Sequence, residues 1–230
     1  SQNTTIYIGK QEPKTLKIIK SILKKNKSKK IYASEFSVKK KKNYYLYNDQ
    51  KHKIPILSKN IYSEGLISNL ALAIKVALDF GVPKKIIIKT IPKIQFEGRV
   101  HYIAKGKFRK LLKPHEQLLI DGCHSMASAK NLYNYLKTLR EPVYGIWGMQ
   151  KNKLPGLFIK SFNKIFKKVI TVTISNELNA LKAKELRSIS QKYMPTNTAS
   201  SIKSAIIQLS SLEKKTIVIF GSLYLAGEVL

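Results

Sequence analysis

Cysteine, arginine and acidic residues are scarce in this chain of 230 residues. The single cysteine, Cys123, excludes a disulfide framework and any structural zinc site built on thiolates. No run of about 18 apolar residues occurs, so no segment reads as a membrane-spanning helix. No charged-then-apolar leader opens the sequence. With 11 glycines and 8 prolines it has no low-complexity or fibrous character. These absences fit a reducing setting, and a cytoplasmic location without membrane partners is expected.

Thirteen acidic residues stand against 43 basic ones, a formal net charge of +30. Hydrophobic residues make up 43%, enough to build a core, which excludes a disordered basic tail. Such a charge invites a nucleic-acid partner, because lysine and arginine neutralise phosphates. Only Arg99, Arg109, Arg140 and Arg187 carry the planar fork that phosphate and base recognition favours. The lysine excess comes with abundant Ile, Asn and Tyr, the set that A/T-rich coding enriches whatever the function. The densest stretches are Lys24–Lys30 and Lys39–Lys42, the latter followed by Tyr44, Tyr45 and Tyr47. Charge beside aromatics suits a single strand, but a charge run is commonly a solvated face. Nucleic acid is therefore not expected as the partner.

Residues 1–60 read as short elements. Thr5–Ile8, Lys30–Ala33, Tyr44–Tyr47 and Ile54–Leu57 are strand-like. Thr15–Leu23 places Leu16, Ile18, Ile19, Ile22 and Leu23 at helical spacing, predicting a buried stripe. Residues 64–81 carry a clear helical face through Ile67, Leu70, Ala71, Ile74, Ala77 and Leu78, stopped by Gly81 and Pro83. A further helical piece runs from Pro83 to about Ile91, and a domain division is expected between residues 92 and 98. Beyond it, strands at Arg99–Ile103, Gln117–Asp121, Val143–Trp147, Val169–Ile174 and Thr216–Phe220 are predicted. The helices expected between them span about Met126–Leu139, Leu157–Lys167, Leu181–Gln191 and Ser200–Leu212. This alternation predicts an α/β fold on a mostly parallel sheet, with ligands beyond the carboxyl ends of the strands.

Three strand ends carry polar residues. After Leu118–Ile120 come Asp121, Gly122, His124 and Ser125. After Trp147 comes the loop Gly148–Lys153, and after Phe220 comes Gly221–Glu228. An Asp at a strand end can bond a ribose hydroxyl, and the Gly behind it lets the chain turn. Ser125 is also placed to cap the following helix. Arg99, just after Gly98 at the expected hinge, can reach a bound anion or form a salt bridge.

Together these motifs resemble the carboxyl-terminal half of folylpolyglutamate synthase/dihydrofolate synthase, of the Mur-ligase superfamily. FEGR at Phe96–Arg99 is similar to the family's hinge motif, and DGCHS at Asp121–Ser125 to its DGAHN strand end. Gly148–Lys153 is similar to its Gly-Met loop, and GSLYLAGEVL at Gly221–Leu230 to its final strand end. Asn69 alone keeps part of the HQ-x-x-NA helix motif. The resemblance implies a Mur-ligase-like carboxyl-terminal domain over 96–230, with a mostly parallel, Rossmann-like sheet. Residues 1–95 would be the remnant of a central ATPase domain. It further implies an ATP- and Mg2+-dependent ligase that adds L-glutamate to dihydropteroate or folate through an acyl phosphate. By the matched positions, Asn69, Arg99 and Asp121 would contact ATP, and His124 and Ser125 would lie towards glutamate. Gly221 and Ser222 would be structural.

The departures are specific. No GxxxxGK[ST] occurs, so the backbone phosphate cradle is missing. Gly65, Leu66 and Leu70 replace the His, Gln and Ala of the helix motif, and Glu97 replaces the hinge proline. Ser125 replaces the Asn of DGAHN, while Asn152 and Leu154 replace both aspartates of the loop. No metal ligand is expected in this segment. The Mg2+ ligands belong to sequence upstream of Ser1, and a separately encoded amino-terminal half is a candidate partner. The isolated chain is expected to be inactive. The alternatives are a truncated or decayed relic and a basic nucleic-acid-binding protein.

Overall fold

The computed structural model describes residues 4–57 and 63–230. The chain divides into two compact units, Ser1–Gln95 and Phe96–Leu230. Among the described residues no helix is long and apolar enough to cross a membrane.

The first unit opens with a βαβ turn: strand β1 (Thr5–Ile8), helix α1 (Pro13–Leu23) and strand β2 (Lys29–Tyr32). The two strands pair in parallel from Thr5↔Lys29 to Ile8↔Tyr32. The stripe expected on α1 is not buried: no residue of the helix is, and Ile18 and Ile22 are 60% and 70% exposed. Leu16, Ile19 and Leu23, at i, i+3 and i+7, are half-buried. A two-stranded sheet is too narrow to cover a wider face, so the other two isoleucines meet solvent.

A three-stranded antiparallel sheet follows, made of β3 (Phe36–Lys40), β4 (Tyr45–Asp49) and β5 (Lys53–Ile56). Strand β3 is not among the strands expected from the sequence, because the lysines after Val38 hide its alternation. Asp49 closes the second hairpin: its Oδ1 accepts from the N–H of Lys51 (2.9 Å) and of His52 (2.6 Å), and its Oδ2 from the Tyr47 hydroxyl (2.9 Å). Helix α2 (Glu64–Asp79) is capped by Ser63, whose Oγ accepts from Leu66 N at 3.2 Å. It buries Leu66, Ile67, Leu70, Ala71 and Ile74. Gly81, at φ 79°, ends its last turn. Helix α3 (Lys84–Thr90) completes the unit, with a 3₁₀ turn at Ile91–Lys93.

The second unit holds a six-stranded sheet. Its strands are β6 (His101–Tyr102), β7 (Glu116–Asp121), β8 (Val143–Trp147), β9 (Phe166–Thr171), β10 (Thr196–Thr198) and β11 (Lys215–Phe220). Their order is β10-β9-β8-β11-β7-β6, parallel except for the edge strand β6. Side chains alternate across it: Val218 and Phe220 of β11 enter one core, Ile217 and Ile219 the other. Helices α4 (Met126–Leu136), α5 (Pro155–Lys160) and α6 (Ala183–Ser190) contribute to the first core. Helices α7 (Ile202–Leu209) and α8 (Leu223–Gly227) contribute to the second.

An aromatic cluster of Trp147, Phe158, Phe162, Phe166 and Phe220 dominates the first core, with centroid separations of 4.8–6.4 Å. This cluster shortens the helix expected over 157–167. Pro155 starts it early, and the chain turns after Lys160 to bring Phe162 and Phe166 inward. The following strand therefore starts at Phe166 and ends at Thr171, while Val172 and Ile174 stay buried beyond it. The strand expected at Arg99–Ile103 shrinks to two residues because Val100 adopts φ 45°, outside β geometry. The helices expected to reach Leu139 and Leu212 end at Leu136 and Leu209. Two further elements are additions: β10, a polar three-residue edge strand, and α8, capped by Ser222.

Candidate functional site at the strand ends

The carboxyl ends of β7, β8 and β11 lie side by side in the second unit. At the end of β7, Asp121 is 5% exposed and uses both carboxylate oxygens on backbone. Its Oδ2 accepts from Val100 N at 2.9 Å and its Oδ1 from Cys123 N at 2.8 Å. Gly122 N donates to Gly98 O at 2.7 Å, so the 98–100 segment is strapped to the strand end. Val100 pays for this closure with a positive φ, which costs a β-branched residue about 1–3 kcal/mol. Burial pushes the Asp121 carboxyl above its ordinary value, against the pull of the Val100 and Cys123 N–H groups and the Arg99 charge. Cys123 is fully buried, and burial together with Asp121 pushes its thiol well up, so it is an inert core residue.

Arg99 leans over this strap. Its Nη1 lies 3.9 Å from Asp121 Oδ1, and the side chain is one-third exposed. That nitrogen is nevertheless buried and, among the described residues, has no hydrogen-bond acceptor. A guanidinium so placed has donors to spare for an anion.

His124 follows, half-buried, with Nδ1 3.0 Å from Gly122 O. A carbonyl only accepts, so Nδ1 carries a proton and donates, which fixes the orientation of the ring. Ser125 caps α4 in a reciprocal box. Ser128 N donates to Ser125 Oγ at 3.3 Å, Ser125 N donates to Ser128 Oγ at 3.0 Å, and the two hydroxyls are 2.9 Å apart. The Ser125 hydroxyl is thus already engaged. Asn69 belongs to the first unit, on the exposed side of α2. The structure brings Arg99, Asp121, His124 and Ser125 into one strand-end cluster within the second unit.

The other two strand ends are held by close backbone approach. Gly221 sits at φ 109°, and a Cβ there would lie 2.4 Å from Gly148 O and 2.6 Å from Trp147 Cδ1. A Cβ on Gly122 would meet Leu223 Cδ2 at 2.3 Å. The Trp147 Nε1–H beside Gly221 is buried and, among the described residues, has no hydrogen-bond partner. Ser222 is buried and caps α8, with Tyr224 N donating to its Oγ at 3.1 Å.

Two residues of this region escape sequence reasoning. Glu228 reaches back to the loop after β9, accepting from Ser175 N at 2.8 Å and from Ser175 Oγ at 3.2 Å. Its place in the terminal GEV was the available signal. Val100 carries the strain, and no residue type announces that.

Among the described residues no group of three or more His, Cys, Asp or Glu is arranged to hold a metal ion.

No curated protein matches the chain in sequence. Its fold is similar to Mycobacterium tuberculosis folylpolyglutamate synthase, solved with ADP and AMPPCP, at 20% identity and TM-score 0.81, covering 98% of this chain and 54% of that one. Escherichia coli FolC with DHPP and ADP is similar at 14% identity and TM-score 0.79, covering 99% and 52%. The Yersinia pestis bifunctional folylpolyglutamate synthase/dihydrofolate synthase with AMPPNP and Mn is similar at 13% and TM-score 0.77, covering 98% and 52%. The chain thus spans about half the length of these solved relatives. The family model for the dihydrofolate synthetase C-terminal domain matches residues 104–230, more than half of the sequence. The sheet with its three closely packed strand ends is that domain, and the chain belongs to the dihydrofolate synthetase family.

Proposed function

We propose that the chain supplies the carboxyl-terminal half of an ATP-dependent ligase that joins L-glutamate to dihydropteroate or a folate. The reading takes residues 1–95 as part of the family's central domain and the cytoplasm as the place of action. The observation that carries it is the buried, acceptor-free Nη1 of Arg99 beside Asp121. Leaving such a donor unsatisfied costs about 1–3 kcal/mol, and a phosphate oxygen would remove that cost with a charge-assisted bond. The M. tuberculosis and Y. pestis relatives were solved with ATP analogues, which supports extending a nucleotide site to this chain.

In this reaction the substrate carboxylate takes the γ-phosphoryl group of ATP, giving an acyl phosphate and ADP. The glutamate amine then attacks the carbonyl carbon, and inorganic phosphate leaves from the tetrahedral intermediate. Arg99 would bind a phosphate of ATP. Asp121 would hold the strained 98–100 segment and offer its remaining lone pairs to a ribose hydroxyl. Asn69 would contact the adenine through its amide. His124, its ring oriented by the Nδ1 bond to Gly122 O, would lie towards glutamate, and Ser125 would fix its position through the α4 cap. Among the described residues no group of three or more His, Cys, Asp or Glu is gathered around a point where Mg2+ could sit. Its ligands are proposed for the half of the relatives that this chain does not span, and no step here runs through the ion.

The test is an ATP-dependent glutamate-ligation assay on this chain joined or mixed with that other half. Activity is expected only in the combination, with Arg99→Ala lowering kcat/KM by about 10²–10³. Arg99→Lys should not rescue it, because an ammonium lacks the fork. Wild-type turnover in Arg99→Ala would overturn the assignment.

A further inference from the structure

The opposite end of the second unit's sheet holds an open depression of about 420 Å³ at the amino-terminal end of β8. Small-molecule sites commonly measure about 300–1,000 Å³. It is lined by Lys137, Arg140, Lys164 and Lys167 together with Leu136, Val143 and Ile165. Glu141 is the one acid lining it, and that carboxylate is held by Lys214 at 2.7 Å. Four cations therefore face the depression with no free acid to balance them. The carboxyl end of α4 lies here too, but its dipole amounts to about half a negative charge. That accounts for one of the four cations at most.

Two details set this rim apart from the general lysine surface. Arginine is rare in this chain, and two of the other three have evident partners. Arg99 faces Asp121, Arg109 bonds the carbonyls of Leu112, Lys113 and Pro114, and Arg187 sits in the last turn of α6. Among the described residues the Arg140 guanidinium makes no hydrogen bond or ion pair. Lys164 adopts φ 67°, a left-handed conformation that costs a non-glycine residue about 1–2 kcal/mol. Glycine or asparagine would relieve that cost, yet a lysine occupies the turn beside the depression.

We propose that this depression is a binding site for a small polyanion carrying two or more phosphate or carboxylate groups. The four lining cations hold the charges. The site lies at the far end of β8 from Gly148, about 17 Å along a five-residue strand. It is independent of the nucleotide reading of Arg99 and Asp121.

The experiment is amide chemical-shift mapping of the full chain at near-physiological salt, with inorganic tripolyphosphate in one arm and citrate in the other. Saturable shifts are expected within residues 136–143 and 164–167, and the arm that binds tighter identifies phosphate or carboxylate. Arg140→Glu and Lys167→Glu, both exposed, should each weaken binding about tenfold, equivalent to 1.4 kcal/mol. Lys203→Glu, exposed on α7, should leave it unchanged. Shifts scattered over lysines of both units, absence of saturation, or indifference to Arg140→Glu with melting temperature preserved would each overturn the proposal.

Discussion

Gly221→Ala tests whether the strand ends are held by backbone contact. The glycine has φ 109°, and an added methyl would sit 2.4 Å from Gly148 O and 2.6 Å from the Trp147 ring. The dihedral alone costs about 1–3 kcal/mol. Relieving the contact requires β8 and β11 to part at their paired ends, and forced overpacking of this kind costs about 1–3 kcal/mol more. The sum, about 2–6 kcal/mol, is a large share of a typical stability of about 5–15 kcal/mol. Two controls separate the terms. Gly106 has φ 100° with nothing within 4 Å of its Cβ position, so Gly106→Ala carries the dihedral cost only. Gly227, in α8, has open space and no positive φ, so Gly227→Ala should be neutral or stabilising by up to about 1 kcal/mol. The readout is urea denaturation followed by fluorescence of Trp147, the only tryptophan, which lies fully buried beside Gly221. A midpoint for Gly221→Ala equal to that for Gly106→Ala would refute the contact argument.

Glu116 is buried at the opposite strand end. Burial pushes its carboxyl up, but the Ser210 hydroxyl, the N–H groups of Lys113 and Ser211 and the Lys215 charge hold it below its ordinary value. Its stabilisation is therefore present above the unfolded-state pKa and lost as pH falls through the lower folded-state value. Glu116→Gln should cost about 1.5–3 kcal/mol at neutral pH, and the difference should vanish in acid, measured by denaturation across pH. Ser125→Ala should cost about 1 kcal/mol through the α4 cap, read as a lowered denaturation midpoint. Asp121→Asn leaves one of its two N–H partners facing an amide donor. A loss of about 1–3 kcal/mol is expected, with faster hydrogen exchange at the Val100 or Cys123 amide. Unchanged exchange at both amides would contradict the strap.

The central strands are legible because they are apolar on both faces, as parallel strands covered by helices must be. Val143–Trp147 is identical in sequence pattern and structure, and β11 differs from its expected span by one residue. Elements whose formation depends on distant partners are not legible. Strand β3 has only a Phe36–Val38 alternation before a lysine run and is held by pairing with β4, while the polar strand β10 exists because β9 pairs with it. The helical stripe of α1 has the correct period, but periodicity reports a face and not what covers it, so Ile18 and Ile22 remain exposed. The displacement of β9 has the same origin. A β-branched run at 169–174 outweighs Phe166 in a local reading, whereas the aromatic cluster that seats Phe166 spans four elements.

The same distinction holds at the strand ends. Residue type and position bring out Asp121, Arg99 and the glycines, since a polar group after an apolar strand stands where parallel sheets bind ligands. What each group does there depends on its neighbours. Asp121 spends its first two bonds on backbone and so sets the path of residues 98–100 before any ligand arrives. Ser125 spends its hydroxyl on a helix cap. Among the described residues Arg99 Nη1, like the Trp147 Nε1–H, is a buried donor without an acceptor, and it stands on a segment held in strain by Val100. Strain of this size persists only where the surroundings enforce it, and here the enforcing group is the carboxylate that also faces the guanidinium. A ligand anion on Arg99 would therefore be recognised by a side chain whose backbone is already fixed, and it would pay little ordering entropy for that contact.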